Sequence, residues 1–143
     1  MWLWAKRFMW SNKEGEEIKK KVSKLFPNYS KLQPKEIVFE FMYWRKANAI
    51  HRWFVEHIQN GVDDCRRYSV STEQLKELLE IVKKVLDNRD LAKKLLPAQE
   101  GFFFGGTEYD EYYLADIEKT IEIVNKCMKD FDESWTFEYH SSW

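Results

Sequence analysis

The sequence predicts an α+β fold, in which four or five helices pack on a small, mostly antiparallel sheet of about four strands. Three observations support this fold class. Short runs rich in aromatic and β-branched residues occur near both ends and in the middle of the chain. Amphipathic helical patterns separate these runs. The chain has 143 residues, of which 44% are hydrophobic, so we expect one domain over residues 1–143 around one core.

Four segments carry the patterns that are typical of strands. Residues 2–10 are rich in Trp and Phe, and residues 66–70 form a shorter run. In residues 35–43 and 135–140 every second residue is apolar or aromatic. Since successive side chains of a strand point to opposite faces, one face of each of these two strands is expected to meet the core.

Helical spacing of apolar residues predicts the segments between the strands. The first helix begins after Ser11-Asn12 and ends before Pro27. The second follows residues 35–43 and stops at Gly61, a residue suited to the C′ position of a helix. Ser71 and Gln74 have the spacing of a capping box and open a third helix.

Two more helices are predicted before the last strand. Residues 91–96 form a short one that ends at Pro97. Thr107 and Asp110 both resemble a helix start, and the apolar residues between Tyr113 and Met128 repeat at helical spacing.

The segment from Tyr43 to Phe54 is the most informative part of the chain. On a helix, one face would carry six residues and pack on the core: Trp44, Ala47, His51, Phe54, Val55 and Ile58. Arg45, Asn48 and Arg52 would form a stripe beside that face, so that their polar groups converge. Trp53 would lie opposite the apolar stripe, where it could anchor a protein partner or pack under the loop of residues 102–104.

Composition and charge exclude several classes of function. The net charge of −1 argues against a nucleic-acid partner. No apolar run is long enough to span a membrane, so no membrane partner is expected. Cys65 and Cys127 are the two cysteines, and they form no CxxC motif, which favours a reducing cytoplasm over a disulfide framework. The histidines and cysteines lack the close spacing of a zinc site, so we expect neither a metal nor a cofactor.

Three motifs resemble a widespread group of small tailed-bacteriophage proteins, most of which have no assigned function. They are residues 43–54, the Gly-Val-Asp-Asp-Cys of residues 61–65, and residues 101–105 with the Tyr-Asp-Glu of residues 109–111. The resemblance covers about residues 35–128. It implies a phage protein made in the cytoplasm of a bacterial host, and phage proteins of this size are often counter-defence factors. That inference is an analogy at the level of the group.

The residues themselves indicate a pocket for a nucleotide or another phosphate-bearing ligand. Arginine forks bind phosphate, and a Gly-rich turn before a helix presents N–H groups to an anion. Tyrosine rings can stack on a base. The residues predicted to bind the ligand are Arg45, Asn48, His51, Arg52, Gly105, Gly106, Tyr109, Asp110 and Tyr113.

These observations lead to one main hypothesis of function and two alternatives. The main hypothesis is a non-enzymatic binding protein that captures a small, nucleotide-derived host ligand and so counters host defence. The first alternative is an inhibitor that binds a host protein through Trp53. The second is a small hydrolase in which His51 pairs with Asp110 or Asp116 for acid–base chemistry. A homodimer is expected, because many such pockets form at subunit interfaces.

Overall fold

The computed structural model describes residues 1–9, 13–29, 31, 34–101 and 106–142. Within these residues the chain forms four strands and five α-helices, with two short 3₁₀ turns between them. Their bounds are β1 Trp2–Phe8, α1 Lys13–Leu25, β2 Glu36–Tyr43, α2 Asn48–His57, β3 Arg67–Val70, α3 Thr72–Asp87, α4 Ala92–Leu95, α5 Glu111–Asp130 and β4 Thr136–His140.

The four strands form one antiparallel sheet in the order β2-β1-β4-β3, which confirms the predicted α+β fold. The central pair brings together the two ends of the chain: Leu3 lies opposite Tyr139, and Ala5 lies opposite Phe137. Lys6 donates to Glu138 at 2.8 Å across the same pair. The register between β1 and β2 shifts between Leu3 and Trp4, which marks a β-bulge in β2.

The two faces of the sheet differ, as the alternation of side chains requires. Leu3, Ala5, Phe137 and Tyr139 are buried and form the sheet's side of the core. On the opposite face, the guanidinium of Arg67 lies 3.6 Å from the ring centroid of half-buried Trp4. The central strands β1 and β4 therefore pack one face inside the protein. The edge strand β2 has no buried residue, so the expectation that one face of residues 35–43 meets the core is not met in full.

The helix α2 lies deep in the core. All six residues that were assigned to its core-facing stripe are buried, including Trp44 and Ala47, which precede the helix. The ring of Phe54 stacks on Tyr139 of β4, with centroids 3.9 Å apart and planes within 6°. This stacking ties α2 directly to the central strands.

The start and end of α2 differ from the prediction. The helix begins at Asn48 rather than next to Tyr43, because Lys46 has a φ of +61° and so breaks the helical path. It ends at His57, before Gly61. Gly61 adopts a φ of +76° and donates its N–H to the carbonyl of Val55 at 2.8 Å, so it serves the turn after the helix.

The capping signals of the other helices are largely correct. Ser71 and Gln74 form the predicted capping box of α3. Asp110, rather than Thr107, is the N-cap of α5. The helix α1 has its predicted place, but none of its residues is buried; the Ser11-Asn12 pair that was expected to cap it lies outside the described residues.

The predicted outward position of Trp53 is wrong, because its side chain is only 2% exposed. Its ring contacts Phe54 edge to face at 5.2 Å and stacks on His57 at 4.8 Å. Asn48, Ala49 and Ile50 are buried as well. The prediction assumed a helix with one covered face, whereas α2 is covered on most sides.

We expect Trp53→Ala to lower the free energy of unfolding by about 3–5 kcal/mol, because it removes a large buried aromatic side chain and leaves a cavity. Denaturant unfolding followed by circular dichroism measures the change. Leu25→Ala is the matched control: that side chain is 74% exposed, so the change should stay within about 0.5 kcal/mol. Similar small changes for both variants would contradict the burial of Trp53.

Candidate functional site

A cavity of about 460 Å³ opens where the start of α2 meets the start of α5. Its wall consists of residues 45–50, the first two turns of α5, and Leu96, Gly106 and Glu108. This volume is within the usual range of small-molecule sites. Five of the nine residues that were predicted to bind a ligand line it: Arg45, Asn48, Gly106, Asp110 and Tyr113.

Asn48 holds two walls of the cavity together. Its side chain is 6% exposed, and its Nδ2 donates to the carbonyl of Gly106 at 2.9 Å. Its Oδ1 accepts from the backbone N–H of Gln99 at 3.3 Å. Since both ends of the amide are bonded to backbone, Asn48 fixes the shape of the cavity at the point where α2 begins.

Two tyrosines brace the side of the cavity next to α4. The Tyr113 hydroxyl donates to the carbonyl of Leu96 at 2.8 Å, and Tyr109 accepts from the N–H of Ala98 at 3.2 Å. Their rings meet at a steep angle, with centroids 5.0 Å apart. Tyr113 forms part of the wall, whereas Tyr109 lies behind it. Burial raises the pKa of Tyr113, so this phenol stays neutral.

The N-terminus of α5 is already capped by a side chain of the protein. Asp110 accepts from the N–H groups of Tyr112 and Tyr113 at 3.0 and 3.1 Å. These two donors are therefore engaged by an internal carboxylate. Gly105, which was predicted to offer another N–H, lies outside the described residues.

Two cations, Arg45 and Lys46, line the cavity. Arg45 and Lys46 are exposed, and neither forms an ion pair or a side-chain hydrogen bond with any residue that the structure describes. Lys46 was not predicted as a ligand-binding residue, although it directly follows Arg45. The pair gives one end of the cavity a positive charge.

Asp116 supplies a carboxylate to the same cavity from the second turn of α5. Within the described part of the chain, its carboxylate forms no hydrogen bond or ion pair. Burial raises its pKa from 3.8 to about 6, and the charge of Lys119 opposes this shift only in part. The protein therefore holds a carboxylate in a place that disfavours its charged form.

A chain of two hydrogen bonds joins Trp44, which precedes Arg45 and Lys46, to the backbone of Asp116. The Trp44 indole Nε1 donates to the Thr120 hydroxyl at 3.0 Å, and that hydroxyl donates to the carbonyl of Asp116 at 2.6 Å. Arg45 follows Trp44 directly, so it leaves the core beside the same turn of α5. This arrangement is preorganised because Trp44 and Thr120 are both fully buried.

His51 does not line the cavity, and its predicted pairing with Asp110 or Asp116 is wrong. The ring is fully buried, with Nδ1 2.7 Å from the Tyr139 hydroxyl and Nε2 3.0 Å from a carboxylate oxygen of Asp63. Burial lowers the pKa of His51, and Asp63 opposes that shift. A contact from the loop after α2 satisfies the histidine, and helical spacing alone does not reveal such a contact.

Arg52 also lies away from the cavity. Its Nε forms an ion pair with Glu56 at 2.7 Å, one turn further along α2. The prediction placed Arg45, Asn48 and Arg52 on one helical stripe, but Arg45 precedes the helix. Arg45 and Asn48 therefore meet at the cavity without Arg52.

A second, larger cleft of about 920 Å³ lies between α3, the end of α5 and the sheet. Its principal cation, Arg7, is already paired with Glu14, and Asp132 accepts a hydrogen bond from the N–H of Ser134. Two charged groups of this cleft, Arg7 and Asp132, therefore already have partners within the protein. The smaller cavity is therefore the stronger candidate for a ligand.

Comparisons with known proteins return no match to a family model, a curated protein or a solved structure. No helix among the described residues is long and apolar enough to cross a membrane. The same described residues contain no cluster of three or more His, Cys, Asp or Glu side chains placed to hold a metal ion.

We expect Asp116→Asn to raise the thermal midpoint of the ligand-free protein at neutral pH, because it removes a carboxylate that must ionise while half-buried. The folded-state pKa of about 6 lies above the ordinary 3.8, so ionised Asp116 destabilises the fold above pH 6. Below pH 3.8 both states are protonated and the gain should vanish. Calorimetry across this pH range measures the effect.

Glu122→Gln is the matched control for this prediction, since Glu122 is an exposed carboxylate on the same helix. It should show no comparable gain that grows with pH. A destabilising Asp116→Asn substitution at neutral pH would contradict the unpaired state of this carboxylate.

Proposed function

We propose that this protein is a non-enzymatic binding protein that captures a small, nucleotide-derived ligand in the cavity between α2 and α5. One observation carries the proposal: Arg45, Lys46 and Asp116 line the same cavity, and none of their side chains has a hydrogen-bond or ion-pair partner among the residues that the structure describes. Asp116 is half-buried, where its charge is costly, and hydrogen-bond donors of a ligand would offset that cost. The two exposed cations are available to an anionic group of the same ligand.

The chemistry of the wall suits a phosphate-bearing ligand with a flat apolar part. Arg45 offers a planar fork and Lys46 a point charge, both of which bind phosphate oxygens. Tyr113 presents a ring that is fixed by its bond to Leu96, and rigid aromatic rings favour stacking with a base. The wall needs little rearrangement to receive a ligand, so less ordering entropy is lost on binding.

The two alternative hypotheses gain no comparable support. A hydrolase that uses His51 would need an accessible imidazole, whereas both ring nitrogens are engaged and the ring is buried. A protein inhibitor anchored by Trp53 would need an exposed indole, whereas that ring belongs to the core. The cavity favours capture over both.

The resemblance to small phage proteins gives this proposal a biological setting. In this setting, the protein would act in the cytoplasm of an infected bacterium and lower the free concentration of a nucleotide that serves host defence. Such a role requires stoichiometric binding rather than turnover. A homodimer remains part of the proposal, and the mass of the native protein measures it directly.

We expect Arg45→Ala to weaken binding of ribonucleotides by roughly 10- to 100-fold, the loss typical of a charge-assisted hydrogen bond. The thermal midpoint should hardly change, because the Arg45 side chain is exposed. Native mass spectrometry of the protein with a panel of ribonucleoside monophosphates measures the bound fraction.

Arg52→Ala is the matched control, because Arg52 lies nearby but outside the cavity wall and pairs with Glu56. It should bind the same panel as the unsubstituted protein does. Equal losses in the two variants would contradict the assignment of the cavity, and turnover of a nucleotide would contradict the non-enzymatic role.

A further inference from the structure

We infer that the ligand is a guanine nucleotide with a single phosphate, whose base edge binds the Asp116 carboxylate while Arg45 and Lys46 hold the phosphate. This inference rests on the proposed function, since it names the ligand class of the same cavity. It is carried by the chemistry of one carboxylate and by the number and placement of the charges around it.

Asp116 is the half-buried carboxylate of the cavity wall, and no described residue engages it. Asp110 is engaged in capping α5, and Glu108 is exposed on the segment before that helix. Asp116 instead lies half-buried between Ala115 and Ile117, two residues that also line the cavity. A hydrogen bond there is shielded from water, which raises its value for recognition.

An ionised carboxylate accepts hydrogen bonds and donates none, so it selects a ligand edge with two adjacent N–H donors. Among the common bases, guanine has such an edge, formed by its N1–H and its 2-amino group. Adenine and cytosine present an acceptor beside their amino group, and uracil presents one N–H between two carbonyl groups. Each of these three would set a lone pair against a carboxylate oxygen, which costs the desolvation of an unpaired group.

The raised pKa of Asp116 agrees with this reading. Burial makes the charged form costly in the ligand-free protein. Two N–H donors from a base would stabilise that charged form and lower the pKa again. Lys119 on the same helix is the charged group that acts on Asp116 directly, and Arg45, Lys46, Glu108 and Asp110 are the other charged residues of the cavity wall.

The charges of the wall favour one phosphate over three. Two cations line the cavity, and two carboxylates other than Asp116 lie in the same wall. The donors at the start of α5, which often bind a phosphate chain, are taken by Asp110. A second and third phosphate would therefore meet negative charge without a matching donor.

Isothermal titration calorimetry with GMP, AMP, CMP, UMP, XMP and GTP tests the inference. We expect GMP to bind at least tenfold more tightly than AMP, CMP, UMP or GTP, which corresponds to about 1.4 kcal/mol. In Asp116→Asn the side chain presents one donor and one acceptor, which matches the N1–H and C2 carbonyl of xanthine. In this variant the affinity for GMP should fall and the affinity for XMP should rise. Circular dichroism checks that Asp116→Asn is folded like the wild-type protein.

Two controls separate this inference from the proposed function. Glu122→Gln should keep the preference for GMP, because Glu122 lies outside the cavity wall. Binding of several nucleotides without a preference for GMP overturns the guanine assignment and leaves nucleotide capture intact. A wild-type protein that binds none of these compounds overturns both proposals.

Discussion

The candidate site depends on the buried hydrogen bond between the Trp44 indole and the Thr120 hydroxyl. The bond joins two residues that are 76 positions apart, at a donor–acceptor distance of 3.0 Å. It fixes the short segment between β2 and α2 against the third turn of α5. Together with the bonds of Asn48, this contact fixes the segment that carries Arg45 and Lys46 relative to α5. A buried indole N–H also needs a partner, so the same bond serves stability.

The sequence predicts more of the fold than of the site, and the reason is physical. Periodicity and capping chemistry are local, so the strands, the capping box at Ser71 and the buried stripe of α2 follow from neighbouring residues. Helical spacing assigns a residue to a side of a helix but does not reveal how many sides are covered. Trp53 was therefore placed outside although it lies in the core.

Side-chain partners depend on loops, whose path the sequence does not specify. His51 is buried in the predicted core-facing stripe, but Asp63 from the turn after α2 pairs with it, rather than Asp110 or Asp116. The residues that line the cavity were found in part, because Arg45, Asn48 and Tyr113 belong to conspicuous motifs. Asp116 was considered only as a partner for His51, since nothing in its local pattern shows that it lacks an internal partner.

The central claim is that ligand binds in the cavity between α2 and α5, and amide chemical-shift mapping by heteronuclear NMR tests it most directly. The probe is GMP titrated into the full chain. The account predicts that the largest shifts fall on residues 45–50, Gly106 and the first two turns of α5. Shifts centred on the cleft between α3 and the end of α5, around Arg7 and Phe131, would contradict the account, as would the absence of any shift.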